Sequence, residues 1–488
     1  MKLSHVKIMP AIIALIVTMS FYFLIPPPAA VDINAWRLLG IFVGTIVAII
    51  GKALPMGGAA VIGILLVAIS QVTSPGNAAK AMGDAVSGFS NTLIWLIGIS
   101  FFISRGFIKT GLGARVAYYF VRVFGKKTLG ISYGLSVAEL ILSPVMPSNT
   151  ARGGGVMYPI NRSISESMGS FPDEGSRRKL GAFLTLVAYQ ANIITSAMFI
   201  TATAPNPLVV SGIKSLTNIT VTWADWAIAA FVPGVLALLI IPAVIYLVYP
   251  PEIKSTPNAA AFAAKKLVEM GAMKMEEWIM VGVFVVLLAL WAGVPSLISS
   301  DPLFAVDPTA AAFFGLGILL FTGVLTWDDL LKEKGAWDTV TWFASLVMMA
   351  TFLNKLGVIT WFSGEIQTSI KGMGLGWLQA SALLVLIYVY IHYFFASNTA
   401  HISALFASFF AVGVALGAPP LMFGLFLGFA SSLCASITHY GTGSAPVLFG
   451  SGYVTMGEWW KWGFVTSVLN LMIWGAACAV WWKILGYW

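Results

Sequence analysis

The chain reads as an all-α polytopic membrane protein, and three observations carry that reading. Of its 488 residues, 59% are hydrophobic and only 9% charged, with a mean hydropathy of +0.90, far from the balance of a soluble globular domain. Uncharged runs long enough to span a hydrocarbon core recur along the whole sequence. A three-letter polar motif also appears twice in apolar surroundings, as Ser148-Asn149-Thr150 and Ser397-Asn398-Thr399. Ala follows each time, then a basic or titratable residue, Arg152 and His401. Three small polar side chains in a row compete for backbone hydrogen bonds and interrupt a helix. In lipid such a break survives only where protein covers it or it lines a cavity. Two matching breaks in two halves of a membrane chain therefore point to a carrier's central binding site.

The 27 basic against 19 acidic residues give a net charge of +8, which in such a chain reflects cytoplasmic loops rather than nucleic-acid binding. Cys434 and Cys478 stand alone in apolar sequence and match no metal spacing, so no metal site is expected. The 18 tryptophans suit interfacial anchoring, with Trp459, Trp460, Trp462, Trp481 and Trp482 near span ends.

In chain order, Ile8 to Val31 reads as a retained first span, with a cytoplasmic N-terminus, in preference to a cleaved signal peptide. Leu38 to Gly51 and Ala53 to about Gln71 are two further passes. Ala85 to Ser104 has spanning length but carries Gly88, Ser90, Asn91 and Thr92, so a re-entrant hairpin is the alternative to a full span. The basic cluster Arg105, Lys109, Arg115, Arg122, Lys126 and Lys127 marks a cytoplasmic segment. A span from about Leu129 to Pro147 then brings Glu139 to membrane depth and leads into the first motif, with Gly153-Gly154-Gly155 loosening the chain behind it.

After a polar stretch from Asn161 to Lys179, the uncharged run Leu180 to Ile213 is too long for one straight pass and is expected to break between Ala202 and Pro207. Trp226 to Pro250 is another span. Residues 251–277, with four lysines and an Ala-rich amphipathic stretch, divide a first half (1–250) from a second (278–488). Trp278 to Ser300 and Pro308 to Thr326 are spans, and Thr339 to Asn354 is a shorter segment matching Ala85 to Ser104. Trp95 with Trp342, and Gly111 with Gly357, fall at nearly the offset that separates the two motifs, which supports a duplicated architecture. From Gly372 to Gly457 there is no Asp, Glu, Lys or Arg, so the chain must cross about three times, at roughly 20 residues per pass. Trp462 to Trp482 is the last span.

The paired motifs, the first within Pro147-Ser148-Asn149-Thr150-Ala151-Arg152-Gly153, resemble the divalent anion/sodium symporter family of di- and tricarboxylate carriers. The likeness is closest to its bacterial citrate or tartrate/succinate exchangers and plastid 2-oxoglutarate/malate translocators. It extends to Gly88-Phe89-Ser90-Asn91, Glu139-Leu140-Ile141-Leu142, Ala204-Pro205-Asn206 and Phe449-Gly450-Ser451-Gly452-Tyr453. The resemblance implies a homodimer whose protomers have about 11 spans and two re-entrant hairpins in an inverted repeat. Each protomer would comprise a scaffold and a transport domain that moves like an elevator in the cytoplasmic membrane. It also implies that substrate carboxylates are held by the two motifs, Ser148, Asn149 and Thr150 with Ser397, Asn398 and Thr399, together with Thr442 and its first-half counterpart Thr203. Hydroxyls, amides and helix N-termini suit that role, because they stabilise a carboxylate without burying a full countercharge.

The sequence departs from sodium-coupled members four positions before each motif, where they resemble one another in a small hydroxyl residue. Here Pro144 and Tyr393 stand there, while Arg152 and His401 follow the motifs. These two side chains are expected to supply the positive charge that sodium supplies in symporters. Arg152 could instead pair with Glu139 as a structural ion pair, and His401 could be a hydrogen-bonded packing residue. His392 and His439 read as packing residues, and Ser90-Asn91-Thr92 as a hairpin cap. No His-Glu-x-x-His or Gly-x-Ser-Gly context supports an intramembrane enzyme. The expected activity is sodium-independent exchange of C4 or C5 dicarboxylates (succinate, malate, fumarate, 2-oxoglutarate), with tartrate and citrate as further candidates. No cofactor is expected; sodium enters only under the alternative, a sodium-coupled symporter.

Overall fold

A computed structural model of the chain describes residues 6–172, 175–299, 301, 304–371, 376–395 and 397–487. Of the polar stretch before the buried run, Asp173 and Glu174 lie outside the described residues. Among the described residues the secondary structure is helical, and nine helices are long and apolar enough to cross a membrane. Four shorter apolar helices accompany them: Ile8–Leu24, Met56–Ser70, Thr128–Leu142 and Pro308–Phe321.

The breaks fall where small polar residues, Gly and Pro compete with the helical ladder. The stretch Ala85 to Ser104, read as a hairpin or a full span, falls on Ala78–Val86, a tight turn Ser87–Ser90 and Thr92–Thr110, the last of them among the nine helices of spanning length. The Asn91 carboxamide accepts from the Leu93 amide at 2.9 Å and the Ser90 hydroxyl donates to the Ser87 carbonyl at 2.7 Å, so Ser90-Asn91-Thr92 is a local cap. The long uncharged run divides into Gly181–Met198, a short turn Ile200–Ala202 and Asn206–Thr217. The charge-free region yields Trp377–Tyr390, Asn398–Ala415 and Pro420–Leu433, each followed by an irregular stretch. Lys334–Lys355 differs from expectation. It is a continuous helix of 22 residues rather than a shorter segment, because its polar start stays helical through Trp337 and Asp338.

The chain divides into two compact units, and both draw on both sequence halves. The first comprises Met1–Gly98, Pro207–Val221 and Lys334–Ser431, and the second Ile99–Asn206, Thr222–Glu333 and Ser432–Trp488. Compact units and sequence halves are thus different divisions of the chain. In the first unit, Lys334–Lys355 is the central element: Asp338 accepts the Gly57 amide at 2.9 Å and the Ser345 hydroxyl donates to the Ala60 carbonyl at 3.1 Å. Gly88 lies so close to it that a Cβ there would sit 2.0 Å from the Ala344 carbonyl oxygen. In the second unit, Gly181–Met198 is buried along nearly its whole length although it carries Thr185, Gln190, Asn192, Thr195 and Ser196. Asn192, Thr195 and Ser196 are hydrogen-bonded there, as most buried polar groups are.

Gly111 and Gly357, matched in the two halves, both adopt left-handed backbone, φ 80° and 82°. Each joins a long helix to the next one, Thr92–Thr110 to Leu112–Phe124 and Lys334–Lys355 to Val358–Lys371. Some tryptophans expected at the interface are interior instead. Trp459 is buried against the Tyr189 ring, centroids 4.7 Å apart, and Trp482 is buried with its indole donating to the Ala229 carbonyl at 3.0 Å. Both cysteines are free and buried.

Replacing Gly88 by Ala drives a methyl group into a backbone carbonyl and should lower stability by about 1–3 kcal/mol. Replacing Gly83, whose Cβ would meet nothing within 4 Å, should leave it unchanged or slightly raised. Thermal unfolding of the two variants in detergent would separate them; equal melting temperatures would contradict the close approach.

Candidate functional site

Both Ser-Asn-Thr motifs begin in the same way. Ser148 accepts the Ala151 amide on its hydroxyl at 3.1 Å, and Ser397 accepts the Ala400 amide at 3.4 Å. The Ser148 carbonyl accepts the Arg152 amide at 2.9 Å, and the Ser397 carbonyl accepts the His401 amide at 3.1 Å. Each Ser therefore starts a helical turn, and that turn fixes the direction of Arg152 or His401. The first motif lies in the second unit and runs into a wide π-type turn, Thr150–Met157. The second lies in the first unit and opens the helix Asn398–Ala415.

Behind the first motif, Arg152 is completely buried. Its Nε donates to Glu139 Oε1 at 2.6 Å, and its Nη1 to the carbonyls of Met146 and Ala202 at 2.5 and 2.9 Å. Its Nη2 donates to the hydroxyls of Ser196 at 3.1 Å and Thr195 at 3.5 Å. All five donors of the guanidinium are met. The pairing with Glu139 is the structural alternative foreseen for Arg152, and the two carbonyls are ones that unwound backbone leaves free beside Pro147 and Thr203.

Asn192 carries this network to the motif. Its Nδ2 donates to Glu139 Oε1 at 2.6 Å and to the Asn149 carbonyl at 3.1 Å, while its Oδ1 accepts the Ser444 hydroxyl at 2.8 Å. Asn149 in turn donates to the Thr442 hydroxyl at 2.6 Å. A Cβ on Gly443 would stand 2.1 Å from Thr150 Oγ1, so a larger residue there would have to displace the Thr150 hydroxyl. Ser148, Asn149, Thr150 and Thr442 are thus brought together. Thr203 closes the turn after Ala202, whose carbonyl takes an Arg152 donor, and is itself buried. The Thr201 hydroxyl donates to the Pro144 carbonyl, and the Trp223 indole donates to that hydroxyl at 2.9 Å.

Behind the second motif, His401 is buried and faces His392, Nδ1 to Nδ1 at 2.8 Å. A proton must lie between two nitrogens that close, so the pair can hold one positive charge but not two. The His401 ring packs edge-on to Tyr388, centroids 4.3 Å apart, and lies 5.0 Å from Phe395. Tyr388 is fixed by a 2.8 Å hydrogen bond between its hydroxyl and that of Ser431. Asn398 is buried, and Ser397 and Thr399 are partly exposed.

Sequence reasoning passed over three residues that the geometry makes central. Asn192 was legible as a carboxamide inside an otherwise apolar run, although nothing in the sequence connects it to Glu139. Ser444 carries no signal in the sequence that links it to Asn192. His392 was read as packing, and its pairing with His401 depends on how the chain turns through Ile391–Phe394. His439 does pack, accepting the Trp460 indole at 3.1 Å.

The sodium:sulfate symporter transmembrane region family matches residues 5–488. The "Putative malate transporter YflS" of Bacillus subtilis (strain 168) is 51% identical over 487 residues, covering 100% of this chain and 98% of its own. Dicarboxylate transporter 1, chloroplastic, of Spinacia oleracea is 44% identical, covering 98% of this chain and 81% of its own. The L-tartrate/succinate antiporter of Shigella sonnei is 36% identical, covering 92% and 93%. Among solved structures, the Alcanivorax borkumensis YdaH transporter has the same fold, with a TM-score of 0.57 at 14% identity over 88% of this chain and 98% of its own. The chain therefore belongs to the sodium:sulfate symporter family, the divalent anion/sodium symporters that its paired motifs resemble, and is a membrane transporter rather than an enzyme.

Proposed function

We propose that the chain exchanges dicarboxylates across the cytoplasmic membrane without sodium. The candidate substrates are succinate, malate, fumarate and 2-oxoglutarate, with tartrate and citrate behind them. The observation that carries the reading is the guanidinium of Arg152 donating to the Met146 and Ala202 carbonyls. In carriers with broken helices, unwound carbonyls of this kind coordinate the coupling cation. Here a permanent cation of the protein takes them, and Pro144 and Tyr393 stand where small hydroxyls would complete a sodium site. The names of the relatives support the substrate class, and the Shigella antiporter supports exchange.

Charge supports exchange independently. Moving one elementary charge against the membrane potential costs about 2.3 kcal/mol per 100 mV, so a lone dianion entering a negative interior carries twice that cost. Dianion-for-dianion exchange moves no net charge. Glu139 modifies the expected role of Arg152: the pair is neutral as a unit, so Arg152 acts locally, fixing the break. The positive potential at the substrate then comes from the N-terminus of Asn398–Ala415, from hydroxyl and amide donors, and from any proton on the His392–His401 pair. In this reading the carboxylates are ligated by Asn149, Thr150, Asn398 and Thr399 with Thr203 and Thr442, and Ser148 and Ser397 shape the turns. The protomers form a homodimer and deliver substrate by an elevator-like displacement. Sodium-coupled symport is the second reading, favoured by the family's description.

Uptake of labelled succinate into proteoliposomes tests the proposal. Uptake should require unlabelled dicarboxylate inside and should be indifferent to a sodium gradient; filling of empty vesicles on adding sodium would establish symport. Asn149→Ala and Thr442→Ala should each raise KM by roughly 10- to 100-fold, the worth of a hydrogen bond to a charged group at about 1.5–3 kcal/mol. Unchanged KM in both would remove them from the substrate site.

Glu139→Gln leaves Arg152 buried without its countercharge and should cost about 3–5 kcal/mol of stability. Combining it with Arg152→Gln should recover part of that loss. Melting temperatures of the single and double variants read this directly, and additive losses would show that the pair is not a unit.

A further inference from the structure

Three segments remote in sequence are knitted together at one end of the second unit. Lys127 forms an antiparallel bridge with Ser255. The Thr128 amide donates to the Lys254 carbonyl at 3.1 Å and the Thr256 amide to the Lys126 carbonyl at 2.9 Å. On the other edge of the same segment, the amides of Glu252 and Ile253 donate to the carbonyls of Arg178 and Lys179 at 3.2 and 3.0 Å. The backbone is thereby satisfied, and the side chains it displays are mostly cationic.

Lys126, Lys127, Lys179 and Lys254 are exposed, and none of the ion pairs among the described residues includes them. Nearby cations are otherwise engaged. Arg177 pairs with Glu458 at 2.7 Å, and the Arg178 guanidinium lies 3.5 Å over the Tyr249 ring. Among the described residues the one acid in these three segments of the knit is the exposed Glu252, so lysines outnumber carboxylates there by four to one.

Two further observations identify what this area fits. The knit lies where spanning helices begin and end: Thr128 and Gly181 start helices and Val248 ends one, which sets it at headgroup depth. The adjoining last turns of Leu112–Phe124 expose Tyr119, Val123 and Phe124 by 54, 52 and 45%. Cations bordered by exposed apolar side chains at helix ends match a molecule with an anionic head and hydrocarbon tails, and a free anion would use only half of that surface. Basic residues beside spanning helices attract acidic lipid by about 1 kcal/mol each.

We propose that this knit is a binding site for an acidic phospholipid. The phosphate is held among Lys126, Lys127, Lys179 and Lys254, and the acyl chains lie along the exposed side of Leu112–Phe124. A bound lipid would tie the starts of Thr128–Leu142 and Gly181–Met198, the helices that carry Glu139 and Asn192, to the end of Trp223–Val248.

The test reconstitutes the full chain in phosphatidylcholine vesicles with a minor share of spin-labelled phosphatidylglycerol, or of spin-labelled phosphatidylcholine as reference, and measures the motionally restricted fraction. Wild-type protein should enrich phosphatidylglycerol over phosphatidylcholine. Lys→Gln at the four positions should lower that enrichment by about fivefold per lysine until it is lost. Lys→Arg at the same positions should preserve it, as should Lys332→Gln, which removes a lysine already paired with Asp328. Should the fourfold variant fail to fold, Lys127→Gln with Lys254→Gln decides. Enrichment untouched by the Gln substitutions, or abolished by inorganic phosphate in wild type, would overturn the proposal, the latter because it marks a free-anion site.

Discussion

A guanidinium buried inside an apolar bundle must be neutralised and must find an acceptor for each of its five N–H donors. The second unit is arranged around that demand. Glu139 supplies the charge, Met146 and Ala202 supply carbonyls, and Thr195 and Ser196 supply hydroxyls. The acceptors come from three places: a helix that stops before the first motif, a fully buried helix, and the turn that follows it. None can shift without stranding a donor in a medium where an unmet polar group costs about 1–3 kcal/mol. This constraint explains why two helix breaks, which lipid would ordinarily penalise, are stable where they lie.

The same demand reaches the residues that contact substrate in the proposed mechanism. Glu139 Oε1 accepts from both Arg152 and Asn192, and Asn192 binds the Asn149 carbonyl and the Ser444 hydroxyl. The Asn149 carboxamide reaches Thr442. A chain of hydrogen bonds thus runs from a permanent ion pair to two loops that the sequence separates by most of its length. Each side chain in it is fixed by its neighbour, which is the preorganisation that a binding site for a carboxylate requires.

The fold was largely legible in the sequence because lipid makes the rules strict. Spanning length, charge-free runs and breaker residues located the helices, and the break between Ala202 and Pro207 followed from composition alone. Lys334–Lys355 runs beyond its apolar part, Thr339 to Asn354, because Asp338 at its polar start is tied down by accepting the Gly57 amide. The motif residues were legible as a repeated pattern and Glu139 as a charge at depth. What the pattern could not reveal was partnership. Asn192, Ser444 and His392 are polar residues among many, and their roles arise only from which helices the fold places side by side.

The two motifs share a Ser cap and a following basic position, yet the fold equips them differently. At the first, the following residue is an arginine whose guanidinium is paired with the buried Glu139 carboxylate at 2.6 Å. At the second, His392 and His401 face each other through Nδ1 at 2.8 Å, one hydrogen lies between them, and two charges are excluded by repulsion at that distance. The two motifs therefore open in the same way but are backed differently: a buried ion pair locks the turn of the first, and two imidazoles joined through one hydrogen lock that of the second.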